Sequence, residues 1–339
     1  MKAKLTKVSW NVTSECNLTC KHCYRDAGSR APHELTTEEG KRLLEDVAST
    51  GRGALVVLSG GEPLMRRDIF ELARHGTSLD LRLVMGSNGT LITREVAEEL
   101  KASGILSVAI SLDGARAGSH DSFRGMPGAF EGAIVGAKAC SEAGVNLQIN
   151  ITVTKYNYKE VPEILNIAER LGAQGIHLFH FVPSGRGREI LESEITVKQY
   201  VKLLNYVYKR QRKVGVFTKP TCAPQYWAYL LREHEGAQFL PEFLKRFSKG
   251  CLAGTGYCCV TPEGIITPCP YLPVEVGDIR EDGFRKLWCE AEVLTELRNE
   301  RLLKEPCRAC AYIDVCRGCR ARAFAYYGDY LAPDPACFL

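Results

Sequence analysis

The chain has 339 residues, 45% hydrophobic and 25% charged, the composition of a folded protein rather than a disordered one, with length for one large α/β domain and a smaller appendage. Lys and Arg number 44 against 40 Asp and Glu, a net charge of +4, which carries no sign of nucleic-acid or membrane-surface binding. No apolar run approaches the roughly 18 residues of a membrane span, and the opening MKAKLTKVSWNVTSEC lacks the apolar stretch of a secretion signal, so a cytoplasmic protein is expected.

From residue 7 to about 182, apolar runs of β character alternate with amphipathic segments. The runs are Val8–Val12, Ala54–Leu58, Leu81–Met85, Val108–Leu112, Leu147–Val153 and Ile176–Val182. Between them lie Thr37–Thr50, Arg94–Ser103, Ala129–Ala143 and Lys159–Leu171. This alternation predicts a parallel sheet with crossover helices. Six units fall short of the eight of a closed barrel, so an open, partial (β/α)6 TIM-like barrel over residues 1–215 is expected, with its chemistry in loops after the strand ends. Thr196–Lys213 reads as a further helix, and Pro220–Lys249 as an aromatic-rich stretch in a linking region, 216–250. Over 251–339 the alternation stops. A hairpin signal at Pro262-Glu263-Gly264, a helix around Phe284–Asn299 and a cysteine cluster predict a small domain that relies on metal for folding.

Fifteen cysteines concentrate at residues 16–23 and 251–337, with Cys140 and Cys222 between. In a reducing compartment such spacings favour metal ligation over disulfides. Cys16, Cys20 and Cys23 follow the first predicted strand, and three thiolates on one short loop can hold three irons of a cubane and leave the fourth open. A zinc knuckle is the bland alternative. After the second strand, Gly60-Gly61-Glu62-Pro63 offers close backbone approach and a carboxylate that can accept from an ammonium. Ser87-Asn88 after the third strand and Ser111 with Asp113 after the fourth offer small polar groups for a ribose, or ordinary turn chemistry.

The C-x3-C-x2-C spacing, with His22 before the third cysteine, resembles the radical S-adenosylmethionine (SAM) superfamily motif. The resemblance implies a 4Fe–4S cluster on Cys16, Cys20 and Cys23 that cleaves SAM to a 5′-deoxyadenosyl radical. It also implies Glu62 as acceptor for the SAM amino group, and Arg124 near the SAM carboxylate. The spacing Cys251…Cys258…Gly264-x4-Cys269, then Cys307-x2-Cys310-x5-Cys316-x2-Cys319 and Cys337, resembles the SPASM extension that carries auxiliary 4Fe–4S clusters. By that resemblance Cys251, Cys258, Cys269 and Cys319 hold one cluster, and Cys307, Cys310, Cys316 and Cys337 another. The family has three residues where Arg317-Gly318 stands, so a single auxiliary cluster stays open, as does the choice of Cys258 over Cys259. Cys140, Cys259 and Cys289 read as packing residues. Cys222, in an irregular proline-flanked loop, is either structural or a candidate catalytic residue.

Ser9–Thr13, Val182–Arg186, Lys219–Gln225, Cys319–Ala323 and Gly328–Cys337 resemble the enzymes of sirohaem-dependent haem and haem d1 synthesis. That likeness implies an iron tetrapyrrole substrate whose acetate or propionate side chains are altered, with Arg186 and Arg188 placed to pair with its carboxylates. It also implies a reducing partner such as ferredoxin or flavodoxin. The alternatives are a peptide maturase, a metalloenzyme maturase, or an iron–sulfur electron carrier without a SAM pocket.

Overall fold

The computed structural model describes residues 4–211, 216–233 and 250–339. The six apolar runs form strands β1 (Lys7–Thr13), β2 (Leu55–Gly60), β3 (Arg82–Ser87), β4 (Ser107–Ser111), β5 (Asn146–Val153) and β6 (Gly175–His180). The crossovers carry α1 (Thr37–Thr50), α2 (Ile69–Ser78), α3 (Arg94–Ala102), α4 (Ala117–Arg124), α5 (Ala129–Glu142) and α6 (Val161–Arg170), and α7 (Val197–Gln211) follows β6. Side chains alternate along each strand. Val8, Trp10 and Val12 of β1 enter the core with Leu43, Leu44 and Val47 of α1, each burial of that kind contributing roughly 1.5–3 kcal/mol. Helix α1 starts where it does because Thr36 and Glu39 form a capping box: Thr36 Oγ1 accepts from the Glu39 N–H at 3.3 Å, and Glu39 Oε2 accepts from the Thr36 N–H at 2.8 Å.

The parallel sheet extends one strand beyond the six units. In the stretch expected to link the domains, β7 (Phe217–Thr221) pairs in parallel with β6, and α8 (Gln225–Glu233) follows. Pro220 hid this strand from a sequence reading. Because β7 is the last strand of the sheet, a residue without an N–H is tolerated there. Residues 234–249 of the aromatic-rich stretch, and the last two residues of the predicted helix Thr196–Lys213, lie outside the described residues.

The cysteine-rich segment joins the same sheet from its other edge. Strand β8 (Tyr257–Val260) runs parallel to β1, with Val8 opposite Cys258 and Ser9 opposite Cys259. The predicted hairpin at Pro262–Gly264 connects β8 to β9 (Ile265–Thr267), and β10 (Gly277–Asp278) completes the order β10-β9-β8-β1-β2-β3-β4-β5-β6-β7. Helices α9 (Ile279–Asp282), α10 (Phe284–Glu290), α11 (Glu292–Arg298) and α12 (Arg320–Tyr327) follow. The single helix expected over Phe284–Asn299 is two, broken at Ala291, whose backbone is extended (ψ 134°). Among the described residues no helix is long and apolar enough to cross a membrane.

Candidate active site

The loop after β1 is closed at its base. Cys16 N–H donates to the Gly28 carbonyl (2.8 Å), and Gly28 N–H to that of Ser14 (3.0 Å), so residues 16–27 form a pinched loop carrying three thiols. Each sulfur has its own donor: Leu18 N–H on Cys16 (3.4 Å), Ala27 N–H on Cys23 (3.4 Å), and Arg124 Nη1 on Cys20 (3.7 Å). Burial pushes the Cys16 thiol up to about 11 and also raises that of Cys20. Such thiols keep their protons unless a metal displaces them. Three sulfurs on one loop, that of Cys20 buried and those of Cys16 and Cys23 half-buried, each with an N–H donor aimed at it, fit a metal-bound thiolate set.

Two cations hold this loop. Arg186 Nε donates to the Cys20 carbonyl (2.8 Å) and Nη1 pairs with Asp26 (2.6 Å). Expected at a substrate carboxylate, Arg186 is instead engaged as a clamp on the cysteine loop, and Arg188 is exposed. Arg124, nearly buried, pairs with the fully buried Asp113 at 2.5 Å as well as with Cys20. Asp113, expected near a ribose, has its other oxygen on the Thr152 N–H (2.6 Å), while its backbone N–H donates to His120 Nδ1 (3.1 Å). Its carboxylate therefore organises the cysteine loop through Arg124. His22 stacks on Phe123 (4.2 Å between centroids) with Nε2 3.4 Å from Asp113. Burial holds the imidazole well below its usual pKa, so it stays neutral.

Gly60 and Gly61 serve close approach, but to backbone. A Cβ on Gly60, whose φ is +124°, would lie 2.4 Å from the Thr13 carbonyl oxygen, and one on Gly61 2.1 Å from that of Glu15. This lets Gly61 N–H and Glu62 N–H bond the Thr13 and Glu15 carbonyls (2.8 Å each), so the second strand end is laced to the chain that launches Cys16. Pro63 opens a short 3-10 turn in which Leu64 N–H donates to Glu62 Oε1 (3.3 Å). Ser87 Oγ (2.9 Å) and Asn88 N–H (2.8 Å) also donate to the Glu62 carboxylate. A carboxylate offers about four acceptor positions, so one remains for a ligand. Burial outweighs these bonds and pushes the Glu62 carboxyl up to about 7. Asn88 Nδ2 continues the chain to Asn17 Oδ1 (2.8 Å), within the cysteine loop. Thus Glu62, Ser87 and Asn88 form one network with the cysteine loop, while Ser111 ends β4 partly exposed, paired in register with Asn150.

Around this network, the buried Arg124 Nε, His22 Nδ1 and Asn150 Oδ1 find no hydrogen-bond partner among the described residues. Buried polar atoms left open in a folded protein point to a ligand. Three donors or acceptors of this kind beside a carboxylate fit the amino, carboxylate and ribose groups of SAM. Asn150 escaped the sequence reading. Its signal was the polar alternation Gln148, Asn150, Thr152 in a strand that, in a doubly covered parallel sheet, reads as continuously apolar.

The C-terminal cysteines gather into two sets. Cys316 lies within electrostatic range of Cys307 and Cys337, and Cys337 within that of Cys310, which reunites the expected four. In the shortened spacing, Arg317 and Gly318 both adopt left-handed backbone (φ +63° each), closing the turn with one residue fewer. In the other set, Cys251, Cys269 and Cys319 come together. Cys258, expected with them, does not. It is fully buried in the barrel core beside Val8 and Val260. Cys222 packs with the three instead, and its thiol lies close enough to that of Cys319 for each to perturb the other, the Cys319 pKa being lowered and that of Cys222 raised. Cys140 is core packing as expected, Cys289 packs partly buried against the core, and Cys259 turns to the opposite sheet face, its sulfur accepting from Asn11 Nδ2 (3.3 Å).

A partial α/β barrel with three thiols beyond β1, followed by a cysteine-rich extension, defines a class. Residues 10–168 match the Radical SAM superfamily, and residues 251–320 match the SPASM iron–sulfur cluster-binding domain. The chain belongs to the radical SAM superfamily and is an enzyme that uses SAM, with a 4Fe–4S cluster in the barrel and auxiliary iron–sulfur clusters in the extension. Within that superfamily it is 44% identical to an AdoMet-dependent heme synthase of Methanosarcina barkeri (strain Fusaro / DSM 804), over 97% of this chain and 95% of that one. It is 36% identical to the Fe-coproporphyrin III synthase of the same organism, over 100% of this chain and 89% of that one. In fold it is similar to Streptococcus suis SuiB bound to S-adenosylmethionine, with TM-score 0.79 and 19% identity, over 99% of this chain and 78% of that one.

Proposed function

We propose that this enzyme alters carboxylate side chains of an iron tetrapyrrole, by decarboxylation or deacetylation, in haem or haem d1 synthesis. The observation that carries the reading is the 44% identity, spread over 97% of the chain, to an AdoMet-dependent heme synthase. When bound, the cluster and SAM supply a radical able to abstract hydrogen from an unactivated carbon. The chain's own residues have the complementary tasks. Glu62 takes the SAM amino group, Arg124 Nε its carboxylate, and Ser87, Asn88, Ser111 and Asn150 the ribose. A small reducing protein such as ferredoxin or flavodoxin delivers the electron.

The sheet face opposite the helices suits a flat, acidic macrocycle. Tyr24, next to Cys23, lies 5.0 Å from Tyr271, which in turn lies 6.3 Å from Phe179 of β6. These rings run from the cysteine loop towards the auxiliary cysteines. On the same face Lys7, His177 and Lys219 share one electrostatic neighbourhood. Burial first, then Lys219, pushes Lys7 down to about 8, and burial with both lysines pushes His177 down to about 3. Cations that oppose one another in a desolvated site favour an anionic guest, and side-chain carboxylates would relieve the repulsion.

Anaerobic incubation with SAM, reductant and either iron-coproporphyrin or didecarboxysirohaem, followed by mass spectrometry, tests the proposal. The expected result is loss of formate- or acetate-equivalent mass from one macrocycle, with 5′-deoxyadenosine formed. SAM cleavage with both macrocycles unbound and unchanged, alongside modification of a co-encoded peptide, would replace this reading by the peptide-maturase one.

A further inference from the structure

We propose that Cys222 is the fourth protein ligand of the first auxiliary cluster, completing the set Cys251, Cys269 and Cys319, and that Cys258 is not a ligand. The SPASM match begins at residue 251, so Cys222 lies outside the segment that defines the domain. The inference rests on the chain's auxiliary clusters and not on the identity of the substrate.

Strand geometry removes Cys258. Strand β8 is held parallel to β1 with Val8 opposite Cys258 and Ser9 opposite Cys259. The side-chain period of a strand is two, so Cys258 shares the face of Val8 and is buried with it in the core, away from Cys251, Cys269 and Cys319. Bringing its sulfur to the other face requires a one-residue slip of β8. That slip would also turn Val260 out of the core.

Local structure delivers Cys222 in its place. The chain leaves β7 at Thr221 and turns at Cys222, which has φ +53°, a left-handed conformation that disfavours any side chain bearing a Cβ. The turn is held by a fully buried cation. Arg322 Nη2 donates to the Cys222 carbonyl (2.9 Å) and to that of Phe181 (3.2 Å), while Nη1 pairs with Asp334 (3.1 Å) and Nε lies 3.1 Å from Glu194. Asp334 also accepts from the Cys319 N–H (2.7 Å). One Arg–Asp pair therefore fixes the backbone of Cys222 and of Cys319 together, and their side chains share one packed cluster. Cys251 and Cys269 complete the group, packed with Val182 and Leu272. A strained backbone persists where its surroundings over-determine it, commonly at a functional centre. Four thiols from four separate segments provide the all-cysteine ligation of a 4Fe–4S cluster. A cluster so ligated has no open iron for substrate.

The test uses the full chain with Cys16, Cys20 and Cys23 replaced by Ala, so that only auxiliary clusters assemble, reconstituted anaerobically. Iron and sulfide analysis, electron paramagnetic resonance and Mössbauer spectroscopy are compared for Cys222→Ala, Cys222→Ser and Cys258→Ala in this background. The parent should hold about eight irons per chain, and Cys222→Ala should fall towards about four or show one altered cluster. Cys258→Ala should keep the parental iron and spectra. Cys222→Ser, which keeps the size of the side chain, should shift the signal of one cluster, and adding Cys307→Ala identifies that cluster as the one on Cys251, Cys269 and Cys319. If Cys222→Ala does not fold, Cys222→Ser decides alone. Parental spectra in Cys222→Ser, or loss of a cluster in Cys258→Ala but not in Cys222→Ala, would overturn the assignment.

Discussion

Replacing Asp113 by Asn changes one oxygen to an amide and leaves Arg124 charged without its carboxylate. Asp113 is fully buried and Arg124 has only 9% of its side chain exposed, with 2.5 Å between them. Breaking a buried pair by removing one partner costs about 3–5 kcal/mol, because the remaining charge is left desolvated. The Thr152 N–H that bonds Asp113 at 2.6 Å still finds an acceptor in the Asn carbonyl, so the loss is mainly that of the charge. With an unfolding entropy of about 2.1 cal/mol/K per residue over this length, the expected drop in Tm is about 4–7 °C. The assay is anaerobic calorimetry on metal-free Asp113→Asn protein. The same drop should shrink in the iron-loaded protein, where thiolate character on Cys20 compensates Arg124. The double variant Asp113→Asn/Arg124→Gln, which removes the orphaned charge, should regain at least half of the loss. A Tm for metal-free Asp113→Asn within about 1 °C of the parent, or a double variant as unstable as the sum of the two, would refute the claim that this pair organises the cysteine loop.

Cys20→Ala should abolish reductive SAM cleavage while C-terminal iron persists, as read by iron analysis beside 5′-deoxyadenosine formation. Glu62→Ala should weaken SAM binding by about 1.5–3 kcal/mol in anaerobic titration, the contribution of a hydrogen bond to a charged group. Because burial raises the Glu62 carboxyl to about 7, the acceptor form is lost as the pH falls through that value. SAM affinity should then decline up to about tenfold per pH unit, and Glu62→Gln should flatten that difference. Gly61→Ala places a Cβ 2.1 Å from the Glu15 carbonyl oxygen, so the chain before Cys16 must move. The expected outcome is loss of iron from the N-terminal site with the C-terminal iron retained, and full N-terminal iron would count against it.

The barrel was legible because period-two and period-3.6 patterns coincide with burial. Helix α1 falls at its expected residues, fixed by the Thr36–Glu39 cap. Helix α4 was not legible, since Ala117–Arg124 is mostly polar and is placed by Asp113 contacts from outside it. Strand β7 was hidden by Pro220, which only an edge position permits. At the site, the residue types were readable and their partners were not. Glu62 and the thiols stand where loop logic places them, yet Asp113 and Arg186, read as ligand contacts, hold the loop that carries the thiols. A sequence shows that an arginine follows a strand. It does not show that a carbonyl 166 residues earlier has taken its guanidinium. Cys258 stands apart from Cys251, Cys269 and Cys319 for a related reason, because spacing to Gly264 says nothing about which face of β8 a sulfur occupies.

The position of Cys222 has a mechanical consequence for an open barrel. The sheet ends at β7 on one side and continues through β8 and β9 on the other, with β1 to β6 between. Cys222 follows β7, Cys269 follows β9, and the two sulfurs fall within electrostatic range of each other. A cluster ligated by both would therefore join the β7 edge of the sheet covalently to the β8–β9 hairpin on its other side, where an open barrel otherwise relies on side-chain packing. Closing a loop of this length restricts the unfolded chain and stabilises the joined segments most. Hydrogen exchange followed by mass spectrometry, with and without chelation of the auxiliary irons, reads the effect segment by segment. Chelation should raise exchange in β7 and in β8–β9, and leave β3 and β4, flanked by strands on both sides, near their loaded values. Cys222→Ser in the loaded protein should move β7 in the same direction, whereas Cys258→Ala should not. Equal exchange in β7 with and without the irons would show that the two sides are held by packing alone.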